Sequence, residues 1–453
     1  MSRRSSIYTY CRIAPSVTSN HELLATAPRR RQTERNKPLE YEISPVAGKR
    51  QNRKSILIRK TDGVESRFAF NEIFEQGESQ EKVFTVIGKS VIENAISGYN
   101  STVLAYGQTA TGKTYTMAGD GYANGESETD AKGLIPRGLE YIWSELKSCG
   151  LRFSIKISCM EIYREKAYDL LDVQTHGIDK KTFATKKEVN CRMNRNEVRM
   201  QNLAVRQVKS LEEAMETFLE GSNNRAVSET YVNNASSRSH FVLTVYIQKE
   251  LDTGVIKSKL NFVDLAGSER LGKGRLKNKA AEEEAKDNNR SLLFLREVIE
   301  ATAISSVFKP QIFRNTLLTK ILRDSFTGKC VTSLIATISS DDENIEETIS
   351  TCQFAQSACK IKVKPNRNQT DDLKKVNLKL QEDNDRLSAR ISELEAKVEE
   401  PELTSERENN LKQRVFEFFT NNDPNAKLEV EDVKEHLNYC FQELKILGKD
   451  DRK

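Results

Sequence analysis

The sequence carries no C-x-x-C pair: its eight cysteines, from Cys11 to Cys440, are scattered along 453 residues. That excludes paired-thiol zinc and redox motifs and the dense cysteine framework of small secreted domains, and it points to reduced thiols in the cytosol. Nowhere does the chain offer the run of ~18 apolar residues that a membrane span needs. The opening Met1-Ser2-Arg3-Arg4-Ser5-Ser6 lacks the apolar core of a secretory leader. A large surplus of one charge is missing as well. Charged residues make up 30% of the chain yet sum to only +5, short of the basic excess of a dedicated nucleic-acid binder. The expectation is a soluble cytoplasmic protein with no nucleic-acid partner, in which any acidic partner is met by a local patch. No internal repeat occurs, and the Asn/Asp-rich stretch from Thr420 to Asn425 lacks the glycine and closing glutamate of a calcium loop.

What is present is a phosphate-loop pattern without substitution. Gly107-Gln108-Thr109-Ala110-Thr111-Gly112-Lys113-Thr114 fits G-x-x-x-x-G-K-[ST]. Glycines let successive backbone N–H groups turn inward around phosphate oxygens, Lys113 reaches the β and γ phosphates, and the Thr114 hydroxyl is placed to ligate Mg²⁺. An apolar strand, Thr102 to Tyr106, leads into the loop, and helix-forming residues follow it. A helix N-terminus behind the phosphates adds its dipole to the cradle.

Around that loop, strand and helix patterns alternate. Ile7 to Ile13, Ser55 to Arg59, Arg67 to Phe70 and Arg152 to Ile162 read as strands. Gln80 to Ser97, Gly133 to Leu146 and Ser210 to Asn223 read as helices, and Phe241 to Lys249 with Lys257 to Val263 as paired strands. The alternation predicts an α/β domain of P-loop NTPase type, a mostly parallel central sheet with helices on both faces and the phosphate loop beyond a strand's carboxyl end. The polar segment from Ser16 to Arg50, broken by Pro28, Pro38 and Pro45, reads as exposed loop, and His176 to Asn196 as loop or edge hairpin.

Composition shifts near residue 362. From Leu373 to Val398 a heptad register places Leu373, Leu380, Leu387 and Leu394 at d, and Asn377, Asn384, Ile391 and Val398 at a. Leu at d with Asn at a is the pattern of a short parallel two-stranded coiled coil, residues 372–399, and so of a homodimer through 373–398; a lone amphipathic helix is the other reading. Pro401 closes it, and residues 402–453 form a helical C-terminal segment with helix patterns at Glu406 to Phe419 and Val430 to Leu447.

Two further motifs turn a nucleotide site into a particular machine: Asn233-Asn234-Ala235-Ser236-Ser237-Arg238-Ser239-His240 and Asp264-Leu265-Ala266-Gly267-Ser268-Glu269-Arg270. Here the sequence resembles the kinesin superfamily, whose first and second switches are N-x-x-S-S-R-S-H and D-L-A-G-S-E. The resemblance runs over residues 1–361 as a motor domain. It implies an ATP-hydrolysing motor with Mg²⁺ as cofactor and microtubules as partner. In phosphoryl transfer, catalysis is mostly positioning and charge stabilisation. Thr114 and Ser237 offer hydroxyls to Mg²⁺, and Asp264 accepts from its waters. The Gly267 amide meets the γ-phosphate, and by resemblance Arg238 and Glu269 pair to close the switches, with Glu269 taking a proton through an ordered water. Ser236 and Asn233 hold the lytic water and γ-phosphate. For adenine the resemblance brings in Arg12 and Pro15, with Tyr115 stacking on the base; Ala14 stands where many kinesins carry a second arginine. A P-loop GTPase is disfavoured because N-K-x-D is absent.

The blocks Asn289-Arg290-Ser291-Leu292 and Phe313-Arg314-Asn315 look like parts of the microtubule-binding helix cluster. Lys273, Arg275, Lys277, Lys279, Arg290, Arg314 and Lys320 are candidate tubulin contacts, salt-sensitive because the partner is acidic. Leu317 stands where many kinesins have a lysine. Residues 362–371 sit where a neck linker belongs, and an N-terminal motor with that linker implies plus-end motion. Pro365 and few apolar residues predict weak docking. A non-stepping microtubule-binding ATPase that regulates filament length is the alternative. The runs Phe218 to Arg225, Ile335 to Ser339 and Ile349 to Gln356 look most like the kinesin-nine family of ciliary and flagellar motors, which implies an axonemal setting, with the kinesin-seven group as the other candidate.

Overall fold

The computed structural model describes residues 5–15, 38–46, 53–120, 129–176, 183–193, 198–229, 238–252, 254–269, 279–304, 310–371 and 373–395, with residues 406, 409–410 and 413–414 beyond them. The chain divides into two units, Met1–Asp372 and Leu373–Lys453. No helix among the described residues is long and apolar enough to cross a membrane.

The first unit is built on a twelve-stranded sheet. The strands in chain order are β1 (Ser5–Ser6), β2 (Tyr8–Ile13), β3 (Tyr41–Pro45), β4 (Lys54–Arg59), β5 (Glu65–Phe70), β6 (Glu72–Phe74), β7 (Ser101–Gly107), β8 (Phe153–Tyr163) and β9 (Lys166–His176). They continue as β10 (Phe183–Met193), β11 (Val198–Gln201), β12 (Arg206–Val208), β13 (His240–Leu251), β14 (Gly254–Asp264), β15 (Val331–Ile338), β16 (Lys362–Val363) and β17 (Gln369–Asp371). The main order is β11-β10-β9-β8-β13-β14-β7-β15-β2-β6. The sheet is mixed. The half that carries the phosphate loop, β14-β7-β15-β2-β6, is parallel, and the other half is antiparallel, including the β13–β14 pair read from sequence.

The helices are α1 (Gln80–Val83), α2 (Lys89–Ile96), α3 (Lys113–Met117), α4 (Leu134–Ser148), α5 (Leu211–Glu229), α6 (Lys279–Ile304), α7 (Leu317–Ile321), α8 (Arg323–Phe326), α9 (Ile345–Cys359) and α10 (Leu373–Glu395). β7 shows why the sheet lies between layers: every residue is buried, because alternate side chains enter different cores. Leu104 and Tyr106 join the core with α6 and α9, through Leu292, Leu295, Val298, Ile299 and Phe354. Val103 and Ala105 join the core with α2, α4 and α5, through Ile92, Ile142, Trp143 and Phe218. Burying a side chain of that size contributes roughly 1.5–3 kcal/mol.

Gln80 to Ile96 is one continuous helical run, started by Ser79, whose side chain accepts from Lys82 N–H. It contains a π-turn, Phe84–Gly88. Within the segment expected to be exposed loop, Tyr41–Pro45 instead forms an edge strand on β4 of a separate three-stranded sheet, β3-β4-β5. Its backbone bonds to Ile58 through Lys54 outweigh the local loop preference of Pro38 and Pro45. Residues 16–37 and 47–52 lie outside the described set. The polar stretch after His176 resolves into an edge hairpin, β9 with β10.

In the second unit, α10 exposes Leu380, Leu387, Ile391 and Leu394 to between 49% and 58%, so its apolar stripe has no partner within the described chain. Val398, Pro401 and the Val430 to Leu447 helix pattern lie outside the described residues, as does most of Glu406 to Phe419.

Candidate nucleotide site

The phosphate loop leaves β7 and enters α3. Gly107 sits so close to β15 that a Cβ there would collide with the Thr337 carbonyl. Ala110 (φ 65°) and Gly112 (φ 86°) are left-handed, the alternation that turns backbone amides into a concave anion cradle. Side chains hold the loop's outer wall: Thr111 Oγ1 lies 2.7 Å from Thr337 Oγ1, and Gln108 Nε2 donates to Asn344 Oδ1 at 2.7 Å. Lys113 is 6% exposed, and its Nζ donates to Gly107 O at 2.9 Å and Gln108 O at 2.8 Å. Burial pulls its pKa below the usual lysine value, partly offset by Asp264 and Glu269.

Asp264, at the end of β14, is the hub of the floor. Its Oδ2 accepts from Thr114 Oγ1 and from Arg225 Nη1, each at 2.7 Å. Its Oδ1 is buried with no hydrogen-bond partner among the described residues. An unmet carboxylate oxygen beside a threonine hydroxyl and a phosphate loop is a donor set that fits a hydrated Mg²⁺ with a nucleoside triphosphate. The bound cation would supply neutralisation of phosphate charge, with Thr114 as ligand and Asp264 as acceptor for its waters.

Arg225, near the end of α5, is held by Ser239 O at 3.1 Å and lies over the Phe241 ring. Sequence reasoning missed it as a site residue, because its partner Asp264 lies 39 residues away on β14. His240, the last letter of the first switch motif, was given no role either. Its Nδ1 accepts from Ala266 N–H at 2.9 Å and its Nε2 lies 3.0 Å from Ser291 Oγ on α6, which sets the Nε2–H tautomer. Complete burial, reinforced by Arg225, pulls its pKa down to about 3, so the ring is neutral.

The second switch folds back on the phosphate loop. Glu269 Oε2 accepts from Thr109 N–H at 2.8 Å, and Oε1 accepts from the Thr109 hydroxyl. A Cβ on Gly267 would press on the Thr109 hydroxyl and that carboxylate, so a side chain there would displace Glu269 from this contact. Glu269 finds these donors on the phosphate loop, and Arg238, which also has an interaction partner, is the residue expected to pair with it when the switches close. Asn233, Ser236 and Ser237 lie outside the described residues.

At the base position, Arg12 aims its donors inward: Nη1 reaches Gln80 Oε1 at 2.7 Å and Thr116 Oγ1 at 2.9 Å, and Nη2 reaches Glu78 O at 3.4 Å. Tyr115, 41% exposed, lies over the guanidinium at 5.0 Å. Arg12 therefore stands behind a stacking platform and Gln80 becomes part of its support, with Pro15 exposed nearby in sequence.

The kinesin motor domain profile matches residues 26–361 of the chain. The chain belongs to the kinesin motor-domain family. Kinesin motor domains are microtubule-stimulated ATPases. It is 34% identical over 332 residues to kinesin-like protein cut7 of Schizosaccharomyces pombe, covering 70% of this chain and 29% of that one. It is 34% identical over 404 residues to kinesin-related protein 7 of Dictyostelium discoideum, covering 86% and 30%. The solved structure of a fast kinesin, described for its ATPase mechanism and interactions with microtubules, superposes with a TM-score of 0.65 at 30% identity, covering 81% of this chain and 94% of that one. The chain spans less than a third of the length of those two curated relatives.

In this kinesin the segment 362–371 is docked along the motor. β16 pairs antiparallel with β1, and β17 pairs antiparallel with β14. Between them Lys364 N donates to Gly328 O at 2.9 Å and Asn368 N to Gly98 O at 2.8 Å, while Lys257 N donates to Asn368 O at 3.0 Å. The expectation of weak docking was drawn from Pro365 and a lack of apolar residues; these backbone bonds are indifferent to side-chain type. On the α6–α7 side, Arg290 and Arg314 are exposed and Lys320 is half-buried. Leu317 is buried, its N–H accepted by Glu165 Oε2 at 2.8 Å. Lys273, Arg275 and Lys277 lie outside the described residues, as does the side chain of Lys279.

Proposed function

We propose that this chain is the motor portion of an ATP-driven, plus-end-directed microtubule motor. The observation that carries the reading is one strand: β14 ends at Asp264 in the nucleotide site and, at its other end, pairs with the linker through Val255 and Gly254. ATP held by Gly107 to Thr114, with Mg²⁺ at Thr114, Ser237 and Asp264, biases the switches. Glu269 and Arg238 act on the γ-phosphate, and the shift of α6 sets whether residues 362–371 dock. Tubulin is the acidic partner of Arg290, Arg314, Lys320 and the lysine-rich loop at Lys273 to Lys279.

A gliding assay tests direction. Surface-held protein should drive polarity-marked microtubules with the minus end leading; plus-end-leading filaments refute it. The exposed leucine stripe of α10, with Asn377 and Asn384 in the same heptad register, supports dimerisation through 373–398 with a second copy. Sedimentation of the chain against a truncation ending at Asp372 checks this, and equal monomer masses exclude it. The kinesin-nine assignment and an axonemal location rest on the runs at Phe218, Ile335 and Ile349. Tagged protein confined to cytoplasmic microtubules and absent from the axoneme of a ciliated cell would contradict them.

A further inference from the structure

Arg296, on α6, reaches out of its own helix. Its Nη2 donates to Ser350 O at 3.1 Å and Ser350 Oγ at 2.9 Å on α9, and its guanidinium lies 5.9 Å from the Phe354 ring centroid. Phe354 stacks on Tyr106 at 3.8 Å and 15°. Tyr106 is the last residue before the phosphate loop. Burial raises its phenol pKa, an effect that Arg296 and Ser268 partly offset. Ser268 stands between Gly267 and Glu269, and its N–H donates to Gly107 O at 3.0 Å, although its buried Oγ has no hydrogen-bond partner among the described residues. One side chain on α6 thus bonds to α9, and through Phe354 it is linked to Tyr106 at the entry to the phosphate loop.

Leu292, Leu295, Val298 and Ile299 of α6 join the same core by apolar contact, and Ser291 bonds to His240. Apolar contact is non-directional and tolerates a helix sliding by an ångström or two. A hydrogen bond from a charged guanidinium is directional and stronger than a neutral one. Among the described residues, the side-chain hydrogen bonds from α6 to α9 are those of Arg296. α9 in turn runs to Cys359, just ahead of Ile361, whose carbonyl accepts from Ile7 N–H at the root of the linker.

We propose that Arg296 is a positioning residue that transmits tubulin engagement of α6 to the phosphate-loop side of the ATP site and to the linker root through α9. The inference rests on the microtubule-motor reading above. Without Arg296, α6 still packs and still meets tubulin, but its movement is no longer coupled to Ser350 and Tyr106.

The test uses the full chain and its variants Arg296→Ala, Arg296→Lys, Ser350→Ala and the Arg296→Ala/Ser350→Ala double variant. ATP turnover is followed against microtubule concentration, with thermal unfolding in parallel. Arg296→Ala should lose about tenfold in microtubule-stimulated kcat, with basal turnover and half-saturating microtubule concentration unchanged. Arg296→Lys should recover much of the loss, and Ser350→Ala should add nothing on top of Arg296→Ala. Wild-type stimulation by Arg296→Ala overturns the proposal, as does a parallel fall of basal and stimulated rates, which marks a merely structural role.

A wild-type chain that microtubules do not stimulate sinks the motor reading instead. In that case hydrogen exchange of residues 362–371 without microtubules decides: Arg296→Ala should speed exchange several-fold, and unchanged exchange overturns the proposal.

Discussion

Arg225 Nη1 meets Asp264 Oδ2 at 2.7 Å, with the two side chains only 7% and 3% exposed. The same oxygen takes the Thr114 hydroxyl, so one guanidinium neutralises and orients the carboxylate that would order the waters of Mg²⁺. Breaking a buried pair from one side leaves an uncompensated charge, which costs about 3–5 kcal/mol. Arg225→Ala should therefore lose stability on that scale in urea unfolding and need more Mg²⁺ for half-maximal ATP turnover. Arg225→Lys should recover part of both. An unchanged Mg²⁺ dependence in a folded Arg225→Ala protein contradicts this role.

Glu269 is bound to the phosphate loop at Thr109 and stands next to the loop's backbone donors. On the proposed reading its carboxylate is the proton acceptor of the site. Glu269→Gln keeps the shape and removes the basicity, so ATP binding should persist while hydrolysis falls about 10²–10⁴-fold in single-turnover measurements. Comparable turnover in the Gln variant would move the base elsewhere.

His240 is neutral in the folded protein because burial holds its pKa at about 3, whereas in the unfolded chain it titrates near its ordinary 6.5. The unfolded state therefore binds a proton that the folded state refuses. Stability is intact above pH 6.5 and is lost as pH falls from there toward 3. At pH 5.5 the site contributes about 1.4 kcal/mol of destabilisation. Urea unfolding at pH 7.5 and 5.5 should show that extra loss in the wild type and not in His240→Asn, while equal pH dependence in the two proteins rules it out.

Asn368 latches the linker with two kinds of contact: backbone bonds to Gly98 and Lys257, and a side-chain amide donated to Asn100 Oδ1 at 3.1 Å. Asn368→Ala removes only the second. Losing one exposed, neutral hydrogen bond should shift the docking equilibrium about two- to tenfold. Gliding velocity should fall by more than microtubule-stimulated ATPase does. Equal falls would place Asn368 in the ATPase cycle.

The site was legible where chemistry demands residues at fixed spacing along one segment. Gly107 to Thr114 and Asp264 to Glu269 each bring their donors and acceptors together within a single loop, so their order alone carries the geometry. Arg225, His240 and Arg296 escaped because their partners arrive from other layers of the fold: Asp264 from β14, Ala266 from the loop after it, and Ser350 from α9. Arg12 was singled out from the sequence as an adenine contact. That its donors turn inward to Gln80 and Thr116 depends on α1 and α3, which lie far from it in sequence. β3 was misjudged, and the pairing of the linker was not read, for a shared reason. Both are secured by backbone bonds, on which side-chain composition is nearly silent.

The central claim is that this nucleotide site is driven by tubulin, and steady-state ATP hydrolysis measured with increasing microtubule concentration tests it most directly. The account predicts a saturable rise well above the basal rate that weakens as salt is added, since the proposed contacts at Arg290, Arg314 and Lys320 would be screened. A rate that stays at its basal value from zero to saturating microtubules would contradict it.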